Sequence, residues 1–238
     1  MSLRTPLVLL PSLILLSACT ISIGADRAVA DGHGASEVNK SINVPAGANA
    51  GDLSTVNGEI RVGPGARAGD VETVNGSIDL ADQASVADVE TVNGSIRGGA
   101  GVRIEGDLEA VNGSLRFGPG LRLAGDATTV NGSVEASQCE VGRNVETVNG
   151  TLRFDSCQLR GAMELVNGRV ELSGTTVLAG DLTVRKPTGM GIGWGSNSNK
   201  KPVIVIGAGV EVRGRIVLER EVDLQIDPAA RVGQIIGP

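Results

Sequence analysis

This chain has very few aromatic rings. Two Phe and one Trp are its whole aromatic complement in 238 residues, with no Tyr. A globular core of ordinary shape draws on many large side chains to fill irregular space, so such a core is excluded. One His and three Cys leave little material for an acid–base pair, a His-ligated metal or a nucleophilic triad. Positive charge is short as well. Lys and Arg number 21 against 27 Asp and Glu, a formal net charge of −6, so no basic footprint for nucleic acid is present. Glycine, at 35 residues, and small aliphatic side chains are abundant instead; apolar residues make up 41% and are nearly all Val, Leu, Ile and Ala. That aliphatic content, with modest charge, argues against disorder. It fits a narrow core filled by small residues many times over.

Residues 1–18 read as an export signal. Arg4 supplies a positive start, and Leu7 to Leu16, interrupted by Pro11, is too short to span a bilayer but suits a secretory apolar region. The stretch Leu16-Ser17-Ala18-Cys19 resembles the bacterial lipobox. That resemblance implies cleavage before Cys19 and lipidation of its thiol, with acyl chains such as palmitate holding the protein stably on a membrane. Thr20, where an Asp would favour inner-membrane retention, points to the outer membrane. Residues 19–36 then read as an acylated flexible tether, rich in Gly and Ala, with His33 as a solvated linker residue.

The rest is a repeat. Val-Asn-Gly recurs at Val56, Val74, Val92, Val111, Val130, Val148 and Val166, at spacings of 18 or 19, and Val38-Asn39-Lys40 is a degenerate first copy. A fixed period this short means a solenoid whose coils are built of strands, since helical repeats need over thirty residues. Aligned columns support this. Leu53, Val71, Val89, Leu108, Ala127, Val145 and Met163 form one inward column, and Ile60, Ile78, Ile96, Leu115, Val134, Leu152 and Val170 another. A third runs Val62, Leu80, Gly98, Phe117, Ala136, Phe154, Leu172, with Ala136 making room between two rings. Ala66, Ala84, Val86, Ile104, Leu121, Leu123, Val141 and Leu159 supply a further face. The sequence therefore predicts an all-β fold: a single-stranded parallel β-helix over 37–238, with three short faces and roughly ten coils. At about 4.8 Å per coil the rod is about 50 Å long. A Gly-rich loop at 186–202 leaves from a corner, and Ile216 to Ile236, with longer side chains, reads as a terminal cap.

The unit Gly69-Asp70-Val71-Glu72-Thr73-Val74-Asn75-Gly76-Ser77-Ile78 and the closing stretch Val210 to Gly237 resemble bacterial envelope lipoproteins of the bactofilin-like or putative-adhesin β-solenoid type. Bactofilins themselves are largely cytoplasmic polymers, from which this chain departs in carrying an export signal.

Several residues are candidates for a role beyond the core. Asn39, Asn57, Asn75, Asn93, Asn112, Asn131, Asn149 and Asn167 form one corner column, expected to be an internal amide ladder. Cys139 and Cys157 occupy the same position in adjacent coils, where either a disulfide or two stacked thiols fit. Glu72, Glu90 and Glu109, continued by Glu146 and Glu164, form an outward acidic file. It is expected to be solvated surface, with weak Ca²⁺ binding as the sharper possibility. Asp52, Asp70, Asp88, Asp107 and Asp126 lie two residues earlier, and Arg61, Arg97, Arg116 and Arg153 mark the next face. The repeated Val is ambiguous: strict alternation turns it outward into an exposed ridge, and a bulge at the corner, the arrangement expected here, turns it in. Met190, Ile192 and Trp194 make the Gly-rich loop a candidate interaction site.

Hexapeptide-repeat acyltransferases share an 18-residue coil but need a catalytic histidine in it, and the only His lies in the tether. The short loops carry no aromatic sugar platform. A non-enzymatic role without a cofactor is expected: a membrane-anchored structural, scaffolding or adhesion element of the outer membrane and cell envelope. The alternative is a glycan- or peptidoglycan-binding module using the Arg-bearing face and the loop around Trp194. Expected partners are the membrane, through the acyl chains, and an envelope protein, a glycan or a second copy, but not nucleic acid.

Overall fold

The computed structural model describes residues 27–187 and 201–238. Among them every regular element is a β-strand and the strands pair in parallel, stacked as a β-solenoid of about ten turns. Each coil has three faces. The first carries strands such as Leu53–Thr55, Val71–Asn75 and Leu108–Asn112; the second Ile60–Val62, Ile78–Leu80 and Leu115–Phe117. The third carries two-residue strands such as Arg103–Ile104 and Arg122–Leu123. In three coils the first two faces run on as single strands of 11 residues, Ala127–Ser137, Val145–Asp155 and Met163–Ser173.

The cross-coil register follows the sequence columns. Leu53 pairs with Val71, Val71 with Val89, Val89 with Leu108 and so on to Met163. Apolar side chains at alternate positions close the interior, because successive strand residues face opposite ways. On the second face Gly98, Phe117, Ala136 and Phe154 are consecutive in register. Phe117 thus has a small neighbour on each side, and a Cβ at Gly98 would lie within its ring. Phe154 is 1% exposed, and burying a side chain of that size contributes about 1.5–3 kcal/mol.

Two glycine columns turn the chain for different reasons. At Gly47 the backbone has φ +67° with open space around it, so only the left-handed conformation calls for glycine. At Gly76 the demand is steric: a Cβ there would overlap the carbonyl oxygen of Gly58 in the coil beneath. That close approach explains the last residue of Val-Asn-Gly.

The columns continue on either side of residues 188–200. Leu182 pairs with Ile216, and Ile204 takes the place above Val170, so the columns close over the insertion.

The structure corrects two expectations. The solenoid begins earlier than residue 37: Arg27 and Ala28 pair with Ile42 and Asn43, Ala35–Glu37 pairs with Leu53–Thr55, and Val29 is buried. Gly and Ala composition suggested a tether, but small residues also suit corners, and the first coil is made largely of corners. The Val of each repeat, from Val56 to Val166, lies half-exposed on the outer side of the first face, because strict alternation persists up to the Asn. The threonine before it turns inward instead, as at Thr55, Thr73 and Thr91. The stretch from Ile216 to Ile236 ends the stack with Leu224, Ile226 and Val232 only partly buried and Ile235 and Ile236 44% and 37% exposed.

Candidate functional site

The eight asparagines stack at the corner after the first face, and from Asn57 onward each side chain donates from Nδ2 to Oδ1 of the asparagine one coil earlier. The distances run from 2.7 Å at Asn57–Asn39 to 3.1 Å at Asn167–Asn149. The ladder is external rather than internal: apart from half-buried Asn167 its members are exposed. The corner bends the backbone so that this column faces water while the Thr two positions earlier faces the core. At its upper end Asn167 Oδ1 accepts from the Arg220 guanidinium at 2.9 Å.

A second ladder was not anticipated. Asp52, Asp70, Asp88 and Asp107 each offer Oδ1 to the backbone N–H of the next Asp in the column, at 2.6–3.3 Å. Asp126 does the same for Asn144, and Asn144 for Ala162. An amide serves in the same position as a carboxylate, so the column is selected for an acceptor oxygen rather than for charge. The presence of Asn144 in an otherwise acidic column was the available signal. A third set of bonds ties the inward threonines down: Thr73 and Thr91 hydroxyls donate to the carbonyls of Gly58 and Gly76 at 3.2 Å. Such bonds satisfy groups that would otherwise cost free energy when buried. Among the described residues the buried hydroxyl of Thr147 has no hydrogen-bond partner.

Glu72, Glu90 and Glu109 pair in register as one outward file. Burial, and then the neighbouring carboxylates, push Glu72 and Glu109 above the usual carboxylate range. Among the described residues no group of three or more His, Cys, Asp or Glu side chains is arranged to hold a metal ion. The second face is not a purely basic one. Its outward file reads Arg61, Asp79, Arg97, Arg116, Glu135, Arg153, Glu171 in register. Arg153 bridges Glu135 at 3.5 Å and Glu171 at 3.1 Å. These exposed pairs each contribute at most about 1 kcal/mol. Near the insertion, hydrogen bonds from Arg215 hold the Asp181 carboxyl below its usual range.

Cys139 and Cys157 lie in the inward column of the third face and are joined by a disulfide across adjacent coils, with Cα atoms 4.5 Å apart. His33 is exposed in the first coil. Cys19 and the loop residues Met190, Ile192 and Trp194 lie outside the described residues.

Comparison of the chain with protein-family models, curated proteins and solved structures returns no match.

Proposed function

We propose that this chain is a non-enzymatic β-solenoid rod, anchored by acyl chains on Cys19 and serving as a structural, scaffolding or adhesion element of the bacterial cell envelope. The observation that carries this reading is the use to which the repeated polar residues are put. The Asn, Asp and Thr columns direct their hydrogen bonds at the neighbouring coil, which suits a part whose task is to hold shape. The lipobox-like segment Leu16 to Cys19 supports outer-membrane anchoring, and the bactofilin-like or adhesin-like repeat unit agrees with an envelope role. A glycan- or peptidoglycan-binding module on the Arg61 to Arg153 file is less well supported, since carboxylates of that file pair with most of its arginines.

Complementation of a strain lacking the protein tests the proposal. Cys19→Ala should move the protein from the membrane to the soluble fraction and fail to restore the envelope phenotype. A chain lacking residues 71–88, one whole coil, should fold and restore most of it. Full rescue by soluble Cys19→Ala protein overturns the anchor, and complete loss on removing one folded coil overturns the mechanical role.

A further inference from the structure

Charged side chains on the second face alternate in sign from coil to coil with one lapse, where Arg97 lies directly opposite Arg116. On the third face of the same two coils Arg103 lies directly opposite Arg122, which faces Glu140 of the following coil on its other side. Like charges facing each other across paired strands are destabilising, and nothing in the interior calls for arginine at four exposed positions. We propose that this edge of the rod, formed by coils 89–126, is a binding site for a polyanion: an extended polymer carrying phosphate or carboxylate groups at short intervals.

The geometry favours a multivalent anion over a single ion. The two arginines of each pair sit one strand spacing apart, about 4.8 Å, so successive anionic groups of one chain can meet successive guanidiniums. Arg97 leans toward Asp79 at 3.5 Å and Arg116 toward Glu135 at 3.2 Å, on opposite sides of the pair, which leaves the space between them open. Among the described residues Arg103 and Arg122 have no ion-pair partner, and both are exposed. The corner separating the two faces is Gly99-Ala100-Gly101 in one coil and Gly118-Pro119-Gly120 in the next, so no long side chain stands between the guanidiniums. A shallow groove lined by Arg97, Arg116 and Arg153, with Glu135 and Asp155 toward the later coils and Phe117 in its floor, opens beside them. Guanidinium forks match phosphate and carboxylate oxygens two at a time. The same coils carry Glu90, Asp107, Glu109 and Asp126 around the first face. Their repulsion turns a polyanion away from the first face, leaving Glu105, exposed on the third face, as the carboxylate these coils set beside the arginines.

This inference is independent of the scaffolding role and rests first on Arg103 and Arg122, since Arg97 and Arg116 are each drawn to a carboxylate. The test is fluorescence anisotropy of labelled long-chain polyphosphate, and separately of polygalacturonate, with the full-length protein at rising salt. Binding should weaken linearly in log–log form as counterions are released. Arg103→Gln with Arg122→Gln should lower affinity at low salt about tenfold or more and reduce the salt slope by about 1 to 2, reflecting two lost contacts. Adding Arg97→Gln and Arg116→Gln should abolish binding. A charge-matched double change at the far end of the rod, Arg213→Gln with Arg231→Gln, should leave affinity within about twofold if binding is local. Equal loss in the distant pair, no salt-dependent binding of either polymer, or binding only to phosphatidylglycerol vesicles would each overturn the assignment.

Discussion

The steric reading of the Val-Asn-Gly corner can be tested with one methyl group. Gly76→Ala places a Cβ against the Gly58 carbonyl oxygen, which is backbone and cannot swing aside as a side-chain tip would. Coils 53–70 and 71–88 must separate locally to admit it. Overpacking of this kind costs about 1–3 kcal/mol. The carbonyl that has to move is also the acceptor for the Thr73 hydroxyl at 3.2 Å, and a lost buried hydrogen bond adds about 1 kcal/mol. The expected loss is therefore about 2–4 kcal/mol. With a urea slope of about 2 kcal/mol per molar, that moves the unfolding midpoint down by about 1–2 M. The comparison that isolates the cause is Gly47→Asn. Asparagine tolerates positive φ and there is open space around Gly47, so a loss of well under 1 kcal/mol is expected. Urea unfolding followed by circular dichroism, with hydrogen exchange to locate the opening, reads both. If Gly76→Ala unfolds within about 0.5 kcal/mol of the parent, or the two variants lose equally, close approach is not what selects glycine here.

Reducing the Cys139–Cys157 disulfide should lower stability by about 3 kcal/mol, the value expected for closing a loop of this length, and Cys139→Ala with Cys157→Ala should match the reduced protein in thermal unfolding. Ala136→Leu, inserted between Phe117 and Phe154, should cost about 1–3 kcal/mol, read as a lower melting temperature with the fold retained. Glu72 and Glu109 hold protons more tightly folded than unfolded, so the stability they affect rises as pH falls from neutral toward the ordinary value of 4.5 and declines again as pH rises. Glu72→Gln with Glu109→Gln should raise the neutral-pH melting temperature and flatten that dependence, whereas the Asp181–Arg215 contribution is lost only on acidification below about the ordinary 3.8. An unchanged pH profile in the double variant would show that crowding of the acidic file is energetically silent.

The repeat made the architecture legible because period and column chemistry are one-dimensional. Leu53 to Met163, and the return of Ile204 to its column across the insertion, can be aligned on paper with no knowledge of angles. What the chain does at a corner is not one-dimensional. Whether Val56 turns in or out depends on how many residues follow the strict alternation before the backbone bends, and composition does not encode that count. The same limit placed the Asn ladder inside, when one further bend puts it outside. The Asp column was seen as charge because acidity is visible in a sequence, whereas a side-chain oxygen reaching a backbone N–H one coil away is visible only in three dimensions. Composition places residues 27–36 in a tether although Arg27, Ala28, Ala35 and Ser36 pair within the rod; a coil without its Val-Asn-Gly signature has nothing periodic to declare it.

The Asn ladder points one way. From Asn57 to Asn167 each Nδ2 donates toward the start of the chain, and each Oδ1 from Asn39 on accepts from the side of its end, so the amide dipoles add head to tail instead of cancelling. Hydrogen bonds in such a line polarise one another, and the line ends with partial positive charge near Asn39 and partial negative charge near Asn167, as an α-helix does between its own ends. Arg220 places its guanidinium at the negative end. The rod therefore carries along one corner an electrically directed filament of side chains, so that its two ends differ in polarity as well as in sequence.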